Sequence, residues 1–273
     1  MSLKLQSSAG ERSGGHQLVD RVLSILGILI AALILLTGLV MLLKRGPDLE
    51  EPMPDFAAID DISERKAAFF AFLDPFIHEA NGEILEAREH IQSLSRRVER
   101  GKLGKRDRLW LQSQGEQYGL SLAEDESPDL AWMEALLLRA DVIPPSLALA
   151  QAALESGWGT SRFAQQGNNL YGIWCYEPGC GLVPRRRPEG ATYEVTRYRS
   201  PKECFDDYIR NLNANRAYES LWRLRASARA EGRPLTGVDL AGGLMRYSQE
   251  GQLYIDKVRR VIRGNELTRY DTY

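Results

Sequence analysis

The sequence predicts an α+β protein, mostly helical, in which a small β lobe interrupts a helical domain that is preceded by a transmembrane helix and a helical region. Three observations predict it. Residues 22–43 carry no charge. Residues 61–126 and 127–166 place apolar side chains at helical spacing. Residues 168–200 are rich in Gly, Pro and Asn, with two short β-like runs, before helical spacing resumes to about residue 265. Helices on both sides of one short β section make a segregated α+β layout rather than alternating βα units. At 273 residues, 44% hydrophobic and 26% charged, the chain has an ordinary globular composition, and its net charge of -2 gives no bulk electrostatic case for nucleic acid.

The elements follow in order. Residues 1–21 are polar, rich in Ser and Gly, and read as a cytoplasmic tail without a core. The run "VLSILGILIAALILLTGLVMLL", 22–43, would rise about 33 Å as a helix, enough to cross a hydrocarbon core of about 30 Å. Lys44, Arg45, Gly46 and Pro47 follow it in place of a small-residue cleavage site, so a retained span is expected rather than a signal peptide. Lys4, Arg12 and Arg21 before the span, against Lys44 and Arg45 after it, favour a cytoplasmic amino terminus. Residues 44–60, with Pro47, Pro52 and Pro54 among acids, read as a linker.

Residues 61–126 form a helical prelude. Ser63 marks a helix start and Gly101 a stop, with Pro75 and Asn81-Gly82 expected to kink or split the stretch. A further helix over about 105–118 carries Leu109, Trp110 and Tyr118. The main domain spans 127–268. "SPDLAWMEALLLRAD" reads as a helix with a Ser cap, and "PPSLALAQAALES" as the next, with Leu147, Ala150 and Leu154 on one buried stripe. A short helix covers 161–166. "ATYEVTRY" is the clearer strand of the β lobe, and helices follow from Ser200 to the end. Trp132 and Trp222 sit at helical spacing and read as core.

Cys175 and Cys180 flank the turn-forming "YEPG". A pair so spaced also suits half of a zinc site, but His16, His78 and His90 all lie far upstream and no second half exists. A disulfide in an oxidising compartment is favoured, with Cys204 a buried apolar residue and no metal implied.

The chemistry concentrates at "AQAALESGWGTS". Glu155 stands in the last turn of an apolar helix, where the macrodipole disfavours a carboxylate. Partial burial and that helix end both push a carboxyl pKa upward, which suits an acid that must hold its proton, and Trp158 just after it is expected to add to the burial. Gly157 and Gly159 are expected to turn the chain sharply and to leave room for a ligand. The competing reading is a solvated surface Glu before a glycine stop.

"PPSLALAQAALESGWGTSRFAQQGNNLYGIW" resembles the catalytic-helix signature of glycoside hydrolase family 73, the bacterial peptidoglycan N-acetylglucosaminidases. "CGLVPRRRPEGATYEV", "YIRNLNANRAYESLWRLRA" and "LAGGLMRYSQEGQLYIDKVRRVIRGNEL" fit the Bax-like branch of that family in order, so the resemblance covers roughly residues 60–268. It implies a lysozyme-like fold, with Glu155 as general acid, and cleavage of β-1,4 bonds after N-acetylglucosamine. It further implies a β-lobe Glu and a late-helix Tyr as partners of the acid. Glu194 is preferred to Glu189, because strand alternation gives it a defined face, and Tyr247 matches the tyrosine. A solvated lobe charge and a buried core tyrosine are the respective alternatives.

Asn168, Asn169, Tyr171 and Trp174 are expected to line a glycan groove. The basic run Arg185, Arg186 and Arg187 reads either as a solvated loop or as a place for stem-peptide carboxylates. No cofactor is implied. The expected partners are peptidoglycan glycan strands and inner membrane lipid, with the catalytic domain on the periplasmic side of the cytoplasmic membrane. Two rivals share these features: a lytic transglycosylase with the same single acid, and an inactive glycan-binding scaffold.

Overall fold

The computed structural model describes residues 53–123 and 126–272, together with 21, 23, 25–27 and 29–33. The tail, most of the uncharged run 22–43 and linker residues 44–52 lie outside them. The described part of that run is helical and its apolar side chains are exposed. Among the described residues no helix is long and apolar enough to cross a membrane.

Residues 52–273 form a compact unit of their own. It opens with α1 (Ile62–Glu99), α2 (Lys105–Gln117), α3 (Leu130–Arg139) and α4 (Pro145–Ser156). The caps are aspartates: the Asp61 and Asp129 carboxylates accept from the Glu64 and Trp132 amides, so the Ser63 and Ser127 starts are displaced. The 38-residue α1 is about 57 Å long and runs on through Pro75 and Asn81-Gly82. The expected split does not occur. Buried Asn81 instead anchors the helix from its side, donating to the Ile143 carbonyl at 2.8 Å and accepting from the Ile143 amide at 3.1 Å.

Helix α4 is buried on nearly every side, as an apolar helix without a polar face must be. It is packed by α1, by α8 (Gly237–Leu240) and α9 (Gln252–Gly264), and by a closing 3-10 turn at Leu267–Tyr270. Its first turn is tied down by Asp271, which accepts from the Ser146 amide at 2.8 Å and hydroxyl at 2.7 Å. The first half of α1 joins this main core through Phe69, Phe70, Leu73 and Phe76. Its second half packs Ile91 and Leu94 with Leu111 of α2 and Met133 and Leu136 of α3 in a smaller cluster.

Residues 53–60 are not free chain, contrary to the linker expectation. Met53 and Phe56 are buried in the main core, and Phe56 meets Phe69 and Phe72 edge to face. After the short α5 (Arg162–Gly167) the chain forms the β lobe: β1 (Trp174–Cys175), β2 (Gly181–Leu182) and β3 (Glu194–Thr196), antiparallel in the order β1-β3-β2. Trp174 pairs with Val195, Cys175 with Glu194, and Leu182 with Val195. The lobe returns to the helices through α6 (Pro201–Ala214) and α7 (Glu219–Ala230). The arrangement is mostly helical with one small antiparallel sheet, as the sequence predicts.

Candidate active site

Glu155 is one residue from the end of α4, and the chain leaves it through three successive left-handed residues, Gly157, Trp158 and Gly159, with φ of 59°, 61° and 74°. The Ser156 hydroxyl stitches this turn, donating to the Ala152 carbonyl at 2.6 Å and accepting from the Gly159 amide at 2.8 Å. Two expectations change here. Trp158 does not cover the acid: its ring lies edge-on to Phe69 and Phe70 of α1, under the Lys66 ammonium. It anchors the turn, and that packing holds a bulky residue at positive φ. Gly159 leaves no room for a ligand either, because a Cβ there would stand 2.6 Å from the Phe56 ring and 3.1 Å from Phe69. Gly159→Ala is therefore expected to cost about 2–4 kcal/mol, from the left-handed backbone and overpacking together. Urea unfolding measures it, and a loss below about 1 kcal/mol would refute this packing.

Part of the Glu155 side chain is exposed at the surface, while its carboxyl end is partly buried against Tyr254. Its Oε1 accepts from the Tyr254 hydroxyl at 2.6 Å. Behind it, buried Gln151 donates through Nε2 to the Tyr254 oxygen at 3.1 Å, and its Oε1 accepts from the Tyr208 hydroxyl at 2.8 Å. The three bonds share one direction, from Tyr208 through Gln151 to Tyr254, which leaves the Tyr254 proton committed to Glu155. Gln151 lies one helical turn before Glu155 on α4, so both face the same wall. The backbone of Gly172 faces the other carboxylate oxygen, Oε2.

Loss of water around the carboxyl raises the Glu155 pKa, the Tyr254 hydrogen bond opposes this, and the Glu250 charge adds to it, for a net upward shift. Lys257 in turn holds Glu250, at 2.6 and 2.8 Å. Burial, with the neighbouring Glu155, pushes the Tyr254 phenol far up, so it remains a proton donor in this bond.

The other sequence candidates fall into different places. Tyr247 does not touch the acid: it stacks on Tyr254 at 5.3 Å and donates to the Tyr171 carbonyl at 3.3 Å. The residue beside Glu155 is Tyr254, which the structure buries in one stripe of α9 with Ile255, Val258 and Ile262. The signal available was a hydroxyl on an otherwise apolar helix face. Glu194 is buried, and its two oxygens accept from the Gly179 amide at 3.1 Å and the Gly181 amide at 2.8 Å. These bonds hold its pKa below the usual carboxylate range and spend the carboxylate on the disulfide loop rather than on a cleft. Glu189 is exposed.

Asn169 is buried and internally satisfied, donating to the Ile173 and Thr196 carbonyls and accepting from the Ile173 amide. Asn168, in a left-handed cap of α5, donates to the Tyr198 and Arg199 carbonyls. Both amides fasten the β lobe instead of lining a groove. Tyr171 is buried and stacked on Tyr208 at 3.8 Å. Trp174 is 52% exposed and lies flat on Tyr193, at 4.3 Å and 7°, an open aromatic face two residues beyond Gly172. Cys175 and Cys180 form a disulfide, and Cys204 is free and buried. Among the described residues no cluster of His, Cys, Asp and Glu is arranged to hold a metal ion.

Glu155 thus presents a carboxyl that a phenol orients and that loss of water shifts upward in pKa, with an aromatic face on the adjoining lobe. Residues 133–267 match the glucosaminidase family described as mannosyl-glycoprotein endo-beta-N-acetylglucosaminidase. The protein Bax of Escherichia coli K12 is 29% identical over 223 residues, covering 82% of this chain and 78% of Bax. The peptidoglycan hydrolase FlgJ of Vibrio parahaemolyticus is 32% identical over 130 residues, covering 44% of this chain and 40% of FlgJ. The catalytic domain of the autolysin Auto from Listeria monocytogenes is 22% identical, with a TM-score of 0.36, covering 67% of this chain and 86% of that domain. Residues 133–267 thus form a domain of the glucosaminidase family, with Bax and FlgJ among its relatives, and the chain is a glycoside hydrolase.

Proposed function

We propose that this protein is a membrane-anchored peptidoglycan hydrolase that cleaves β-1,4 bonds after N-acetylglucosamine, with Glu155 as general acid. The observation that carries the reading is the Glu155 carboxyl itself: partly buried, raised in pKa and fixed by Tyr254 at 2.6 Å. The proton passes from Oε2, the oxygen that Tyr254 leaves free, to the glycosidic oxygen as the C–O bond breaks; the departing sugar leaves as an alcohol, a water oxygen bonds to the anomeric carbon, and the water's proton restores the acid overall. The flat Trp174–Tyr193 face supports a sugar ring. Muropeptide mass spectrometry of a sacculus digest tests the bond assignment. New N-acetylglucosamine reducing ends are expected, whereas anhydro-muramic ends would identify a lytic transglycosylase instead.

Tyr254 is a positioning residue in this scheme. Tyr254→Phe removes the hydrogen bond that lowers the Glu155 pKa, so the acid should stay protonated to higher pH. The expected result is a kcat lowered about ten- to a hundredfold, because the carboxyl loses its fixed orientation, with the alkaline limb of the rate profile moved upward. A lower kcat with an unmoved limb would leave Tyr254 a merely structural role.

The anchor would be the uncharged run 22–43, whose described side chains, Leu23, Ile25, Leu26, Leu29, Ile30 and Leu33, are all exposed apolar groups. Residues 1–21 would be cytoplasmic and the enzyme domain periplasmic. Protease cleavage of residues 1–21 from the outer face, or a processed amino terminus in membrane fractions, would overturn that topology.

A further inference from the structure

The turn that follows Glu155 builds one wall of a concavity. Its volume is about 580 Å³, and its lining includes Thr160, Arg162, Phe163 and Gln165 on one side and Arg185 and Arg186 on the other. Two bonds fix it to the acid-bearing turn. The Ser161 amide donates to the Ser156 carbonyl at 3.0 Å, and Gln165 Nε2 donates to the Gly159 carbonyl at 2.7 Å. The first bond keeps the Cα atoms of Glu155 and Arg162 within about 15 Å of each other, by standard backbone dimensions. A third bond closes the far wall, from Arg162 Nη2 to the Val183 carbonyl at 2.8 Å.

Three guanidinium groups thus line one pocket, and among the described residues none of them pairs with an acid. Arg187, next in the run, differs: it is turned back to the Thr192 and Tyr193 carbonyls. Like charges around one concavity repel and focus a positive potential into it, which an anionic ligand relieves. Guanidinium forks match carboxylates in particular, and the Phe163 ring carries the Arg162 guanidinium over it at 4.7 Å.

We infer that this pocket is a subsite for the carboxylates of a peptide stem attached to the glycan. The inference rests on the reading of the domain as a peptidoglycan hydrolase. A stem of five residues extends about 3.4 Å per residue, about 17 Å in all, so it covers the limit of about 15 Å between Glu155 and Arg162. The pocket selects glycan strands that still carry peptides with free carboxylates.

The test uses the full-length protein in neutral detergent. The tripeptide L-alanyl-γ-D-glutamyl-meso-diaminopimelate, titrated calorimetrically, is expected to bind. Its carboxyl-amidated form should bind at least tenfold more weakly, and so should the free tripeptide to an Arg185→Gln, Arg186→Gln double variant. Both side chains are exposed, so the variant should fold. The kcat/KM of the variant should fall about tenfold on peptide-bearing sacculi and stay unchanged on peptide-stripped glycan. Equal binding of the amidated peptide, or an unaffected double variant, overturns the subsite. So does binding of dihexanoyl phosphatidylglycerol in place of the tripeptide, which would make the pocket a lipid site. A wild-type protein that cuts neither glycan defeats the hydrolase reading, while the titration still decides whether the pocket takes the peptide.

Discussion

Replacing Glu155 by Gln is expected to lower sacculus hydrolysis by about a hundred- to ten-thousandfold, the usual worth of general acid catalysis. Gln keeps the shape and still accepts from the Tyr254 hydroxyl, which stands 2.6 Å from Oε1, but it has no proton to give. The fold should survive, because nothing else in the turn depends on the carboxyl: Ser156, Trp158 and Gly159 make its stitching and anchoring contacts. Desolvation raises the folded-state pKa of Glu155 above that of the unfolded chain. Such a group favours the folded state fully below the unfolded value of about 4.3, and that advantage is lost as pH rises through the folded value. The Gln variant should therefore show a flatter dependence of stability on pH across that window, and at neutral pH it should be no less stable than wild type. Both readouts come from one preparation. Near-normal hydrolysis by a folded variant would remove Glu155 from the chemistry.

What the sequence revealed, and what it hid, follows from the range of the interactions. The helix carrying Glu155 was legible because its signals are local: an apolar run, one acid and two glycines within a few residues. The cysteine pair was legible for the same reason. Asn81-Gly82 looked like a break because local propensity argues for one, yet the Ile143 backbone, far along the chain, gives Asn81 both of its bonds and the helix continues. Phe56 looked like linker because its socket is the missing side chain of Gly159, which no nearby residue announces.

Contacts within one segment were legible in the sequence, and contacts between segments were not. Tyr247 and Tyr254 are equally visible on the late segment, but only the packing of α9 on α4 decides which hydroxyl reaches Glu155. Asn168 and Asn169 carry amides that would suit a sugar, and those same amides equally suit backbone carbonyls. Burial settled the choice for Asn169, whose amide is closed off by the lobe.

The largest loss of stability is expected at Arg225, outside the site. This side chain is fully buried on α7, and it closes the end of α3. Nη2 donates to the Leu138 and Arg139 carbonyls, and Nη1 to those of Asp141 and Val142 and to Asn213 Oδ1. The last carbonyls of a helix have no partner within it, and a cation there also suits the helix dipole. Beside it, buried Asp141 is held by the Arg229 fork and lies 3.6 Å from Arg88 and 3.7 Å from Arg225 Nε. Burial alone would raise the Asp141 pKa, but the Arg229 hydrogen bond and the charges of Arg225 and Arg88 prevail and hold it below the ordinary value. Burial brings Arg225 down to about 10, still protonated at neutral pH. Arg225→Met keeps the length and removes the fork, leaving buried carbonyls and a carboxylate short of partners. The expected cost is about 3–5 kcal/mol, a large share of a typical domain's 5–15 kcal/mol. Asp141→Asn should cost a similar amount by leaving the arginines without their acid. It should also remove a pH dependence: the Asp141 contribution is present above the unfolded value of about 3.9 and is lost as pH falls through the lower folded value. Urea unfolding at pH 7 and at acid pH measures both effects. Variants within about 1 kcal/mol of wild type at pH 7 would show that the cluster does not hold α3 to α7.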